Sequence, residues 1–196
     1  MIVSSRFSII QSLPQSLLPR IETVPGVKTV TWSNWFGGYY KDPKNQGINI
    51  AIASNYFDVY PEISVSSEAR EAFRRTRTGA ILGESLAKRF GWKVGDKVVV
   101  TGAIFPDKAT GETSWTFDVV GLFNVKEEKL RGMEQQFLFR WDYFDEANAY
   151  GSGQVGWIII RVDDPARSEG VARAIDALSA NSDHETKTQT EQAFNL

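Results

Sequence analysis

Residues 79–96 read Gly79-Ala80-Ile81-Leu82-Gly83-Glu84-Ser85-Leu86-Ala87-Lys88-Arg89-Phe90-Gly91-Trp92-Lys93-Val94-Gly95-Asp96. Ala80-Ile81-Leu82 is a short apolar run between glycines and reads as a strand. Leu86 and Phe90 then stand four apart, an apolar pair on a short helix that Gly91 ends. Gly95-Asp96 turns the chain into Lys97–Thr101. Beyond the polar loop 106–112, Trp115, Phe117 and Val119 alternate with Thr116 and Asp118, the period of two that marks a half-buried strand. The middle of the chain therefore predicts a mainly β segment.

Outward from it, both ends repeat one pattern. On the N-terminal side, Arg6–Ile10 reads as a short strand. Leu17, Leu18, Ile21 and Val24 follow at helical spacing after Pro14, and Pro25-Gly26 stops that helix. Val27–Thr31 and Ile48–Ala53 read as strands, separated by Gly37-Gly38 and the polar turn 41–44. Ser66 or Ser67 caps a helix through Phe73. On the C-terminal side, Phe137–Trp141 and Trp157–Ile160 read as strands, with a helix around Tyr143–Ala149 between them. Asp164 caps and Pro165 opens a helix whose Val171, Ile175 and Leu178 face inward. A last strand is expected over His184–Thr188. The sum is an α+β fold in which a discontinuous α/β sandwich lobe, 1–60 with 136–196, carries an inserted, mainly β lobe at 61–135.

Composition removes several kinds of chemistry. A net charge of −2 leaves no excess of Lys and Arg to neutralise phosphates, which argues against nucleic-acid binding. Arg70, Arg74, Arg75 and Arg77 read as a solvated helix face. With 0 cysteines, disulfides, thiolate metal sites and cysteine nucleophiles are excluded, and 1 histidine rules out a histidine-rich zinc site within the chain. Glu127-Glu128 and Asp163-Asp164 read as surface and capping residues. There is no GxxxxGK[ST] phosphate loop. Neither a cofactor nor a metal is expected. No stretch approaches the roughly 20 apolar residues of a membrane helix, and Met1–Arg6 lacks the basic-then-apolar order of an export signal.

Two features carry candidate function. Gly83-Glu84-Ser85-Leu86-Ala87 follows a strand and opens a helix as a nucleophile elbow does, with acids and then His184 downstream. The motif ends in Ala, and no Gly-rich oxyanion segment precedes it. Gly83 as a tight turn and Ser85 as an exposed first-turn residue is the structural alternative. The second feature is aromatic: Trp32, Trp35, Phe36, Tyr39 and Tyr40 crowd around Gly37-Gly38. They read either as packing between two lobes or as a partner or substrate surface.

In their order and spacing, three stretches resemble one family. The phrase 79–96 resembles the strand, short helix and Val-Gly-Asp turn of MacB-like periplasmic core domains. Phe117–Phe123 is similar to the strand that follows there, and Ile21–Val30 to the helix ending in Pro-Gly-Val before the second strand. The resemblance implies a porter-like lobe formed by both chain ends and an inserted Sabre-like lobe. It implies a non-catalytic domain of an FtsX/MacB-like ABC transporter permease on the periplasmic face of the cell inner membrane. Its implied partners are the permease's own transmembrane helices, a second permease subunit in a dimer and a cytoplasmic ABC ATPase. A periplasmic partner or substrate is implied as well. The region 35–40 and the long segment 61–78 look like one subgroup rather than MacB itself. The alternatives are a free periplasmic serine hydrolase using Ser85 and His184, or a partner-binding assembly module.

Overall fold

A computed structural model describes residues 1–102 and 104–194. In chain order its elements are β1 (Ile2–Ser5), β2 (Leu13–Pro14), α1 (Leu17–Glu22), β3 (Val27–Trp35), β4 (Gly38–Tyr39), β5 (Ile48–Ile52), α2 (Tyr56–Val59), β6 (Ile63–Val65), α3 (Ser67–Arg75) and β7 (Gly79–Gly83). They continue as α4 (Glu84–Phe90), β8 (Lys97–Gly102), β9 (Ser114–Val125), β10 (Gln136–Arg140), α5 (Trp141–Ala147), β11 (Gln154–Val155), β12 (Trp157–Val162), α6 (Ser168–Leu178), β13 (Thr186–Gln189) and α7 (Glu191–Phe194). A 3-10 segment, Glu128–Gln135, links β9 to β10.

The chain divides into two compact units, one of residues 1–34 and 153–196, the other of 35–152. These boundaries differ from the lobes expected at 1–60 with 136–196 and at 61–135. β5 and β10, which sequence patterning assigns to the terminal lobe, pair with each other in parallel from Gln136↔Ile48 to Arg140↔Ile52. Both are thereby bound into the second unit. Alternation along the chain identifies each strand but not its neighbours, so a boundary set by strand pairing has no local sign.

In the first unit, strands from the two chain ends interleave in the antiparallel order β13, β1, β12, β3. β1 lies between its C-terminal partners, Ile2 opposite Ile159 on one side and Gln189 on the other. One face carries Val3, Val30, Ile158 and Ile160, all buried. α1 contributes Leu17, Leu18 and Ile21 to the core, and α6 contributes Val171 and Ile175. Asp164 accepts from the Ala166 N–H at 3.0 Å and starts a 3-10 turn that leads into α6. The strand expected at Arg6–Ile10 is not formed. Ile2–Ser5 takes the paired position instead, and Ile9 and Ile10 stand out into solvent, Ile10 at 92% exposure. Burial on both faces let Ile2-Val3-Ser4-Ser5 pair without showing alternation.

In the second unit the order is β5, β10, β7, β9, β8, β4, with β6 on β9, a mixed sheet. β9 is its longest strand and buries Trp115, Phe117, Val119, Phe123 and Val125. A register shift between Ala80 and Ile81 brings Gly121 opposite Ile81. A Cβ on Gly121 would stand 2.5 Å from that of Ala69, so glycine is what lets α3 lie close to the sheet. Ser66 caps α3 by accepting from the Ala69 N–H at 3.1 Å, and Gly91 closes α4 at φ 71.

Among the described residues β13 has one strand neighbour, β1, and it is held in addition by a side chain. The Asp176 carboxylate of α6 accepts from Thr186 Oγ1 (2.9 Å), Thr188 Oγ1 (2.8 Å) and Thr188 N–H (3.1 Å). Hydrogen bonds to a charged acceptor contribute more than neutral ones, so Asp176→Ala should cost roughly 1–3 kcal/mol. Denaturant titration against Thr188→Val, which removes one of the three donors and should cost less, measures this. Equal stability of all three proteins would show that the clasp contributes nothing.

Candidate interaction surface

The aromatic residues around Gly37-Gly38 take three different environments. Trp32, in the first unit, is half-buried on β3 opposite Ile158 of β12. The other four belong to the second unit. Trp35 is 46% exposed. Its indole lies against Gly37, where a Cβ would come within 2.6 Å of Nε1 and where φ is +70. A side chain there would be strained by the φ and would have to displace the indole.

Phe36 is fully buried. Its ring meets Trp115 (5.2 Å), Phe139 (5.4 Å), Phe105 (6.3 Å), Phe117 (6.4 Å) and Phe144 (6.4 Å), mostly edge to face. Glycine makes the room. A Cβ on Gly102 would lie 3.1 Å from Phe36 Cζ, and one on Gly38 would overlap Val100. The Phe36 N–H donates to the Asn49 carbonyl at 2.9 Å, and Asn49 Nδ2 donates to the Gly38 carbonyl at 2.7 Å. Phe36 is thus the centre of the second unit's core and offers no side-chain surface to a partner.

Tyr39 and Tyr40 are half-buried. Tyr39 pairs with Thr101 of β8 and bridges to Gln46. Tyr40 meets Phe90 (5.4 Å) and Trp92 (4.7 Å), which stack on each other at 4.7 Å. Lys41 lies over the Tyr40 ring and Arg89 over Phe90, at 5.2 and 4.8 Å from the centroids. Sequence reading missed Phe90 and Trp92 because they lie some fifty residues away; the one signal was that Phe90 and Trp92 flank the helix-ending Gly91. A half-buried aromatic triad with cations on its faces is therefore what the loop presents, together with the indole of Trp35.

One carboxylate on β9 is held by two side-chain donors. Asp118 accepts from Thr78 Oγ1 at 2.6 Å and from Lys97 Nζ at 2.9 Å. The Thr78 hydroxyl first, then Lys97, hold its carboxyl below the usual carboxylate range.

The nucleophile-elbow residues are not arranged for acyl transfer. Ser85 is half-buried, not exposed as expected, and its hydroxyl donates to Glu134 Oε1 at 3.0 Å. Glu134 is buried, and its Oε2 accepts from the Val125 N–H at 2.9 Å. Gly83 has an ordinary φ of −61. It is glycine because a Cβ there would overlap the Glu134 backbone. His184 lies in the other unit, with Nδ1 2.6 Å from Asp183 Oδ1. Glu127 is 3.8 Å from Lys129, a surface ion pair. Among the described residues no three His, Asp or Glu side chains group as a metal site, and no helix is long and apolar enough to cross a membrane.

A family model described as the MacB-like periplasmic core domain matches residues 2–178. None of the curated proteins compared matches the chain. Among solved structures the chain is similar to the extracellular domain of the noncanonic ABC-type transporter YknZ from Gram-positive bacteria. Identity is 13% and the TM-score 0.64, over 97% of this chain and 99% of that one. The periplasmic region of MacB from Actinobacillus actinomycetemcomitans gives 13% and 0.64 over 99% and 89%. A domain of a permease protein from Porphyromonas gingivalis gives 15% and 0.60 over 97% and 89%. At these identities the shared property is the mixed α/β fold.

The placement of the aromatics separates two substitutions. Phe36→Ala should destabilise by about 3–5 kcal/mol, the usual cost of emptying a buried aromatic site. Trp35→Ala should change stability by only about 1 kcal/mol or less. Thermal or denaturant unfolding of the two variants checks this; a larger loss at Trp35 than at Phe36 would contradict the assignment of Phe36 as core.

Proposed function

We propose that this chain, which belongs to the MacB-like periplasmic core domain family, is a non-catalytic relay of an ABC transporter permease. It lies on the periplasmic face of the inner membrane and couples motion driven by a cytoplasmic ATPase to export or to a periplasmic partner. In this reading the transmembrane helices of its own permease join at the two ends of the fold, and a second permease subunit completes a dimer. The terminal segments form the porter-like lobe and the intervening segment the Sabre-like lobe. Trp35, Tyr39 and Tyr40 belong to a partner surface.

The observation that carries the proposal is the position of the two ends in the first unit. Ile2, at the start of β1, is in register with Gln189, at the end of β13. Both ends therefore leave the sheet on one side. α7 begins directly after β13, tied to β12 by Glu191 on Arg161 at 2.9 Å and by Phe194 against Trp157 at 6.4 Å. In sequence, Glu191-Gln192-Ala193-Phe194 begins a helix with nothing to stop it at Leu196; residues 195 and 196 lie outside those described. Two adjacent exits let a membrane event move the domain through paired helices, provided two discrete arrangements exist for it to shift between.

Catalysis has less support. Ser85 gives its hydrogen bond to Glu134 and not to histidine, so its hydroxyl acts as a tie between α4 and the 128–135 segment. In the assembled permease Ser85→Ala should leave transport intact and lower stability by about 1 kcal/mol. Loss of transport in a normally folded Ser85→Ala protein would restore the hydrolase reading.

The relay itself is tested by pinning α7. The 196 residues contain 0 cysteines, so Trp157→Cys with Phe194→Cys provides a single addressable pair within them, used in a permease from which any other cysteine has been replaced. Crosslinking the pair with a short, cleavable thiol reagent should reduce transport roughly tenfold or more while ATP binding by the ATPase persists, because one of the two arrangements is then removed. Cleaving the crosslink should restore transport. Unchanged transport in the crosslinked protein would overturn the relay.

A further inference from the structure

Strand β8 is where the sheet of the second unit lies open. The Gly102 N–H donates to the Thr113 carbonyl at 2.8 Å, and the Val119 N–H to the Asp96 carbonyl at 2.9 Å. In an antiparallel ladder alternate residues exchange bonds with one neighbour, so the even-numbered residues of β8 bond to β9. Lys97, Val99 and Thr101 therefore aim their N–H and C=O groups at the opposite edge. β4 meets that edge only at Thr101 and Gly102. It then leaves: Tyr40 N–H donates to the Asn45 carbonyl at 3.2 Å, Lys41 turns the chain at φ 60, and Gln46 comes back onto Tyr39. Among the described residues no main-chain partner serves the outward groups of Lys97 and Val99.

Proteins guard open edges with lysine, proline or a bulge. Lys97 does not act as that guard, because its ammonium leans inward over β9 to Asp118 at 2.9 Å. Val99, 46% exposed, stands beside it. The helix end and turn that lead into the strand carry Lys88, Arg89 and Lys93, all exposed, and none of them is in an ion pair among the described residues. The one acid of the turn, Asp96, is engaged by the Lys93 N–H at 3.0 Å.

We propose that the Lys97–Val100 edge of β8 is a docking site for an extended, acidic segment of a partner polypeptide, added as a further strand. The open N–H and C=O groups select a peptide backbone, since strand addition takes its affinity from main-chain bonds. Charge selects the kind of peptide. Among the described residues Lys88, Arg89 and Lys93 stand exposed and outside any ion pair where the chain enters β8, and an acidic segment laid along that edge neutralises them. The site requires nothing of the relay reading and stands or falls separately from it.

The test uses the 196-residue chain and a blocked peptide of alternating Glu and Val, about six residues long, the usual length of a strand. Amide hydrogen exchange should slow about tenfold at Lys97 and Val99 when the peptide is saturating, with little change on β1 or β12. Affinity should fall about tenfold or more with a Lys/Val peptide of the same length, and by as much with Val99→Pro. Proline removes the outward N–H at an edge position that tolerates it. N-methylation of alternate peptide residues should abolish protection without any change in the protein, so the result does not depend on the variant folding. Absence of protection at Lys97 and Val99, or equal binding of the Lys/Val peptide, would overturn the proposal. Protection of Val99 that grows with protein concentration alone would assign the edge to a second copy and overturn it equally.

Discussion

The first unit is closed by four residues. Ile2–Ser5 lies between β12 and β13, so that main-chain bonds join residues more than 150 positions apart. Each such bond is modest, but together they satisfy backbone groups that are buried with Val3, Ser4 and Ser5 and that would otherwise be costly to leave unpaired. The pairing fixes the rest. It makes residues 35–152 an insertion between two halves of one sheet, sets both chain ends on one side, and leaves β13 as an edge that α6 must clasp through Asp176.

The second unit has a different organising element. Phe36 sits among five aromatic rings contributed by the segment after β8 and by β9, β10 and α5. Close ring packing of this kind adds to the gain from burial alone, and it requires that nothing larger than hydrogen occupy Gly38 and Gly102. The same short loop consequently does two jobs. Phe36 points into the core and anchors it, while Trp35, Tyr39 and Tyr40 remain partly outside, held in place by that anchor. A surface built this way is positioned by the core and does not rely on the loop's own order.

Legibility from sequence followed the range of the interactions. The phrase 79–96 was readable because strand, helix, Gly91 cap and turn are all local, and the structure has β7, α4 and the Gly91 αL cap where the pattern puts them. Asp164 and Ser66 were readable as caps for the same reason. Ile2–Ser5 was not, because a strand buried on both faces carries no alternation, and the apolar Ile9 and Ile10 drew the assignment away from it. The unit boundary at 34 and 152 depends on β5 pairing with β10, about ninety residues apart. All five aromatic candidates were open between packing and surface, because a side chain's direction at a Gly-Gly loop depends on which strand it meets. Gly83 shows the limit most clearly. Its glycine reads as a turn requirement, yet what demands it is the backbone of Glu134, brought in by a segment fifty residues later.

The in-register ends of β1 and β13 also determine how this sheet bears force. When both ends are pushed or drawn together, the load enters two neighbouring strands in the same direction and passes into the sheet without separating them. When they are splayed, the load falls on the Ile2–Gln189 pair and on the ties of α7 to β12 through Arg161 and Trp157, and once these yield the ladder opens one rung at a time toward Ser5 and Thr186. The Asp176 carboxylate grips Thr188 one rung in, so the opening is arrested there before it reaches the core. The domain is thus stiff toward concerted motion of its two ends and compliant, over one rung, toward their separation.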